Sequence, residues 1–308
     1  MDKKKIVVLL STYNGEQYVE EQIDSILNQK TSHQVDLLIR DDGSQDQTLQ
    51  ILKKYEAEYP LRVKVYFENN IGYIRSFFEL IRKAEGYDYY ALSDQDDIWL
   101  EDKLDIAVNM CEECRCEEPL LYGSSSFLAN GNLEIVGETQ KQLKEMNLYN
   151  IIIQNFLPGH TQVFNDKMCK ILKQDIDYSK IYVHDFWITY MAALYGRVIF
   201  DNNSHTLYRQ HGENSIGFGK NSIEWLTERL KRIRKNDNRK IAIQINYFYE
   251  KYHSQLPKAE REEIGNFITE QRHFLRRLRY VFTTKMYRQK TVETLLFKML
   301  YLIGGYKI

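Results

Sequence analysis

Four times in the first hundred residues an apolar run gives way to a polar turn and then to a segment of helical period. That alternation with short loops leaves little but a parallel sheet covered by helices. Residues 5–11, Lys-Ile-Val-Val-Leu-Leu-Ser, form a continuous apolar run, the mark of a strand buried on both faces. A helix is predicted over 16–28, with Val19, Ile23, Ile26 and Leu27 on one face. A second strand over 35–39, a helix to Tyr59 before Pro60, a third strand over 62–67 and a helix over 73–84 follow. Asn14 with Gln17, and Ser44 with Gln47, have the spacing of a helix cap and its reciprocal partner. Right-handed crossovers bring the βα turns to one edge, so 12–15, 41–44, 70–72 and 94–97 are expected to converge.

The fourth strand ends in Ser93-Asp94-Gln95-Asp96-Asp97-Ile98-Trp99. Carboxylates this close raise one another's pKa or gather a cation, and hard oxygen ligands point to a divalent ion. The plainer reading is a solvated turn. Against it stands the position, between hydrophobic segments at the C-terminal edge of the sheet, where open α/β sheets bind ligands. The first two turns offer polar groups, small residues and a helix N-terminus, which suit a nucleotide and its phosphates. Neither a Gly-x-Gly-x-x-Gly fingerprint nor a Gly-Lys-Ser/Thr phosphate loop occurs.

Further on, a helix is expected over 101–118, a hairpin at Asn130-Gly131 between strands 120–129 and 133–136, and a helix over 142–153. A short strand at the end of 156–164, a short helix over 166–174, a helix over 183–195 and short strands over 196–201 and 204–207 come next. Long helical stretches, 223–234, 239–253 and 260–282, make up the rest. Three of the four cysteines crowd 111–116 without a second pair or a close histidine, so they read as plain thiols rather than a zinc set. The start, Met1-Asp2-Lys3-Lys4-Lys5, runs straight into a strand and reads as no secretory leader. No run reaches the roughly 18 apolar residues of a membrane span. A cytoplasmic place is therefore expected.

Together these residues resemble family 2 of the inverting nucleotide-sugar glycosyltransferases, with the GT-A fold. Ser11-Thr12-Tyr13-Asn14-Gly15, Arg40-Asp41-Asp42-Gly43-Ser44 with Asp46, the Asp94–Trp99 stretch, His184-Asp185 and Arg209-Gln210-His211 carry the resemblance, over roughly residues 5–217. The variant pattern is most similar to bacterial cell-surface polysaccharide rhamnosyltransferases that use dTDP-L-rhamnose. Related UDP-galactosyl- and glucosyltransferases share much of it. The resemblance implies a GT-A catalytic domain over 1–217 and a helical extension over 218–308. It implies donor binding by Thr12, Tyr13, Asn14, Asp41, Asp42, Asp94, Gln95, Asp96 and Arg209, with Asp42 on the base. Asp94 and Asp96 would hold Mn²⁺ or Mg²⁺, with His211 as a third ligand. Asp97 would hold the ion or orient its surroundings, beside Trp99, and His160, His184 and Trp187 would stand toward the acceptor, a saccharide or lipid-linked chain. Asp185 would be the general base. The family's usual Glu-Asp is here His184-Asp185, which leaves the base in place.

The C-terminal third matches no catalytic motif. Two windows, 229–240 and 272–290, hold seven basic residues each against a single acid, so the near-neutral total hides a basic end. Phe274, Leu275, Leu278, Val281 and Phe282 are expected on one helix face and arginines on the other. An anionic membrane surface and packing against the catalytic domain or a second subunit are both open readings. Nucleic-acid binding fits poorly, since no recognition module is present. Two other classes compete. A nucleotidyltransferase would need a Gly-rich, basic phosphate loop after strand one. A non-catalytic sugar- or nucleotide-binding scaffold would be expected to lose a site carboxylate, yet Asp42, Asp94, Asp96 and Asp185 are all present.

Overall fold

The computed structural model describes residues 2–115, 117–210 and 237–308. Cys116, His211, the 212–217 turn and the helix expected over 223–234 lie outside the described residues. Contacts divide the chain into two compact units: residues 1–141, 157–176 and 195–215, and residues 142–156, 177–194 and 216–308.

The first unit is a sheet of nine strands covered by helices. β1 (Lys5–Thr12), β2 (Gln34–Asp41), β3 (Val63–Phe67) and β4 (Tyr89–Ser93) run parallel in the order β3-β2-β1-β4. β5 (Ile98–Trp99), β6 (Leu120–Ala129), β7 (Ile135–Glu138), β8 (Val163–Asn165) and β9 (Arg197–Arg209) complete it. β8 enters antiparallel between β4 and β6, β9 lies parallel to β6, and β5 closes the far edge. Parallel ladders are long and the antiparallel ones short, so this is an α/β fold of GT-A type with a mostly parallel sheet.

β1 is central because Ile6 to Leu10 are fully buried, and each such side chain contributes roughly 1.5–3 kcal/mol. The helices are α1 (Val19–Leu27), α2 (Thr48–Glu58), α3 (Tyr73–Lys83), α4 (Lys103–Glu113), α5 (Leu148–Ile151), α6 (Asp166–Leu172), α7 (His184–Tyr195), α8 (Asp237–Tyr252), α9 (Lys258–Thr269), α10 (Phe274–Thr283) and α11 (Thr291–Leu302).

Several expectations are corrected. The two helix caps do not form: α1 begins only at Val19 and α2 at Thr48, without side-chain caps. Asn14 and Ser44 instead tie turn to turn. The Ser44 hydroxyl accepts from Asn14 N at 2.9 Å, and the Asn14 side chain accepts from Gln45 N. The helix expected over 142–153 shrinks to α5, and the two short strands before Arg209 are one, β9. The long helix expected over 260–282 is two, α9 and α10.

The second unit is built on aromatic packing. Trp187 on α7 stacks on Tyr247 of α8, and Tyr190 meets Phe248 edge-on. Phe267, Tyr280, Phe297, Tyr301 and Tyr306 make a second nucleus among α9, α10 and α11. The buried Gln289 joins the tail to the 142–156 segment. Its Oε1 accepts from Leu143 N and Lys144 N, and its Nε2 donates to Asn150 Oδ1.

Candidate active site

The four βα turns do converge, and hydrogen bonds show how. Tyr13 N donates to Gln95 Oε1 at 2.8 Å while Gln95 Nε2 donates back to Tyr13 O, joining the first turn to the acidic one. Asn14 and Ser44 join the first to the second. Asp42 joins the second to the third by accepting from Ile71 N and Gly72 N. Gly15 makes room for this: a Cβ there would lie 2.4 Å from Gln95 Oε1.

β4 is buried from Tyr89 to Ser93 and delivers the acidic turn to the sheet edge. Asp97 is fully buried. Its Oδ1 accepts from Arg209 N at 3.2 Å, and its Oδ2 has no hydrogen-bond partner. His160 stands on a single helical turn (Gly159–Thr161) just before β8. Its Nδ1 lies 3.7 Å from Asp97 Oδ2 and 3.8 Å from Asp94 Oδ2. Nε2 is 2.9 Å from Ser126 Oγ, and the ring stacks on Tyr208. With the proton on Nε2, donated to Ser126, the Nδ1 lone pair faces both carboxylates. Among the described residues, Asp94, Asp97 and His160 are the one group of three whose ligand atoms could share a metal ion.

The electrostatics fit that use. Burial, then the neighbouring Asp96 and Asp94, push the Asp97 carboxyl well above its ordinary value. A divalent ion would reverse this. Burial and the nearby Lys103 hold His160 at about 3, so its imidazole is neutral, the ligating form. Lys103, the first residue of α4, is fully buried. Its Nζ donates to His160 O at 2.6 Å and lies 3.8 Å from the Trp99 ring centroid. Burial lowers it to about 7, against the pull of Asp97 and Asp94. An orphaned carboxylate oxygen, a second carboxylate and an oriented neutral imidazole are a donor set that suits a divalent ion.

The other expected residues take varied places. Asp94 is in the cluster; Asp96 is outside it, and its carbonyl accepts from Arg209 Nε. His160, expected toward the acceptor, stands beside Asp94 and Asp97 in the group that could hold an ion. Arg209, expected on the diphosphate, is buried and directs its guanidinium to the Asp96 and Gly131 carbonyls and the Glu21 carboxylate. It braces the acidic turn. Thr12 is buried and donates to Asp41, and Asp41 accepts from Gly43 N, Ser44 N and Ser44 Oγ, so this pair shapes its own turn. Asp42 is buried against Arg40. Tyr13 is about half exposed at the rim. Trp99 is a buried shelf for Lys103. In the second unit, Trp187 is core rather than a sugar platform, and His184 is buried, its pKa lowered by desolvation. Asp185 starts α7, and its Oδ1 accepts from Phe186 N and Asn155 Nδ2.

Sequence reading missed Lys103 and Ser126. The signal for Lys103 was charge balance: a carboxylate buried beside two others needs a cation nearby. For Ser126 it was a run of three serines inside an otherwise apolar strand.

A parallel sheet edge with converged turns and a carboxylate–imidazole cluster that could hold a divalent ion suits a class, the nucleotide-sugar-dependent glycosyltransferases of GT-A type. Residues 7–176 match the family model described as glycosyl transferase family 2, and the chain belongs to that family. It is similar to the dTDP-rhamnosyl transferase RfbG of Shigella flexneri, 32% identical over 224 residues that cover 68% of this chain and 73% of that one. Its fold is similar to that of S. aureus TarS 1–349 in complex with UDP-GlcNAc, with TM-score 0.56 and 20% identity over 98% of this chain and 89% of that one. It is also similar to that of the mannosyltransferase PcManGT of Pyrobaculum calidifontis in complex with GDP-Man and Mn²⁺, with TM-score 0.53 and 13% identity over 99% and 86%.

Proposed function

We propose that the protein transfers a hexosyl group from a UDP-hexose, with inversion, to a saccharide or lipid-linked acceptor of a cell-surface polysaccharide. The observation that carries this is the Asp94, Asp97 and His160 cluster at the edge of a family 2 sheet. Asp94 and Asp97 carboxylates and His160 Nδ1 would hold Mn²⁺ or Mg²⁺; the imidazole favours Mn²⁺. When bound, the ion neutralises charge on the departing diphosphate. Asp185 takes the proton of the acceptor hydroxyl as that oxygen attacks the anomeric carbon and the bond to the diphosphate breaks. Arg209 and Lys103 keep the acidic turn and His160 in place. Both solved folds carry a nucleotide-hexose donor, UDP-GlcNAc in one and GDP-Man in the other, and the first of these is what puts a UDP-sugar ahead of dTDP-rhamnose. dTDP-L-rhamnose stays the second reading on the printed activity of the Shigella relative.

The test is calorimetric titration of the protein with dTDP-rhamnose and UDP-, GDP-hexoses, with and without Mn²⁺. A UDP-sugar should bind best, in a Mn²⁺-dependent way that Asp97→Asn and His160→Ala abolish. Asp185→Asn should keep donor binding and lose transfer. Donor binding indifferent to Mn²⁺ and to Asp97→Asn would remove the proposed site, and preference for dTDP-rhamnose would select the second donor.

A further inference from the structure

The last 35 residues, 274–308, hold eight of the fourteen large apolar side chains that the described residues leave exposed. They are not scattered. On α10 Leu275 and Phe282, 75% and 81% exposed, are seven residues apart. On α11 Leu295 and Met299, with Ile303 just beyond, follow at intervals of four. Each set makes one stripe on its helix. The opposite sides are spent inward, where Tyr280 and Val281 of α10 and Phe297, Leu300 and Tyr301 of α11 are buried. This corrects the single apolar face expected on α10: Val281 points into the core while Leu275 and Phe282 point out. The two helices are locked together, with Tyr280 and Tyr301 rings 4.5 Å apart and Arg277 Nε donating to Leu302 O at 2.8 Å.

The charge around these stripes is one-sided. Residues 271–308 carry nine Lys and Arg against one acid, Glu293, which accepts from Gln154 Nε2. Arg272, Arg276, Arg279 and Lys290 are exposed. No described helix is long and apolar enough to cross a membrane; α10 and α11, at about 15 and 18 Å, fall well short of the hydrocarbon core.

We propose that the exposed stripes of α10 and α11 dock on the surface of an anionic phospholipid bilayer, with Leu275, Leu295, Phe282 and Ile303 at the acyl boundary and the exposed arginines among the headgroup phosphates. A second copy fits less well, because a two-fold contact sets the same patch against itself and brings its exposed cations, Arg272, Arg276, Arg279 and Lys290, together. A nucleic acid would match the charge and leave the apolar stripes in water. The proposal goes beyond the transfer chemistry and stands whichever donor is used.

Cosedimentation of the full chain with vesicles tests it. Phosphatidylcholine vesicles are compared with vesicles containing about a third phosphatidylglycerol, which gives them a negative surface potential. Binding is expected to the anionic vesicles only, and to weaken as salt rises. Arg276→Glu with Arg279→Glu should cut it by an order of magnitude or so. Leu275→Ser with Leu295→Ser should cut it comparably. All four positions are exposed, and unchanged near-ultraviolet circular dichroism confirms that the variants fold. Absence of binding, equal binding to both vesicle types, or indifference to the charge reversal would overturn the proposal. So would a lipid-independent dimer in sedimentation velocity that Leu295→Ser dissociates, which would give the face to a second copy.

Discussion

Lys103 is a cation in an apolar setting, and its neighbours show why it is tolerated. The His160 carbonyl and the Trp99 face receive its ammonium, and the Asp97 and Asp94 charges offset part of its desolvation. With the folded group at about 7 and an unfolded lysine at 10.5, the unfolded chain binds the extra proton between those values. Stability therefore rises with pH through that window, by up to about 1.4 kcal/mol per unit, and is lowest below pH 7. His160, held at about 3, acts between pH 3 and 6.5 and is silent there. Asp97, raised by burial, acts from about pH 4 upward with the opposite sign, so the difference between two proteins carries the test. Urea unfolding at pH 7, 8 and 9 should show Lys103→Met losing stability relative to the parent as pH rises. Parallel profiles would mean that the ammonium is not desolvated. At this scale the acidic turn was legible because its three carboxylates fall within four residues. The histidine that completes the cluster was not: His160 is 63 residues beyond Asp97, and only the antiparallel entry of β8 beside β4 brings it there.

Elements were legible where burial writes a continuous run and obscure where a side chain has two partners to choose from. β1 to β4 and their parallel pairing follow from apolar runs with short loops. Asn14 and Ser44 had the right spacing for helix caps, but each found a better partner in the neighbouring turn, since an orphan turn N–H at a converged edge is as needy as a helix N-terminus. The joining of turns can be measured at Gly15. A methyl there collides with the Gln95 amide, at 2.4 Å from Oε1 and 2.7 Å from Cδ, and must displace the pair of bonds to Tyr13. Gly15→Ala should cost about 1–3 kcal/mol in denaturant unfolding. In a Gln95→Ala background the collision is gone, so the same change should cost less, by at least about 0.5 kcal/mol of coupling. Strictly additive costs would mean that Gln95 does not hold the first turn.

At the scale of the whole chain, the 1–217 boundary drawn from motifs and the division by contacts make different demands on an isolated piece. The motifs that carry the family resemblance end near residue 217. Packing does not, since 142–156 and 177–194 belong with the C-terminal helices. Trp187 is buried by Tyr247, Phe248 and Tyr252, and the Leu143 and Lys144 amides depend on Gln289. Cutting at 217 removes all of these at once. It leaves Trp187 in water, at a cost of roughly 3–5 kcal/mol if judged like truncation of a buried aromatic, and exchanges two turn-amide hydrogen bonds for water at about 0.5–1.5 kcal/mol each. Against a stability of about 5–15 kcal/mol for the folded protein, the second unit should not survive, and with it goes the setting of Asp185. A chain ending at residue 217 should therefore lack a cooperative thermal transition in near-ultraviolet circular dichroism over 142–156 and 177–194, read from Trp187 with Trp99→Phe as background. The 1–308 chain, with Trp225→Phe added so that Trp187 is its one tryptophan, should show one. A sharp Trp187 transition in the shortened chain would mean that α7 is held by the N-terminal residues alone, and that the C-terminal helices are an appendage to an already complete catalytic domain.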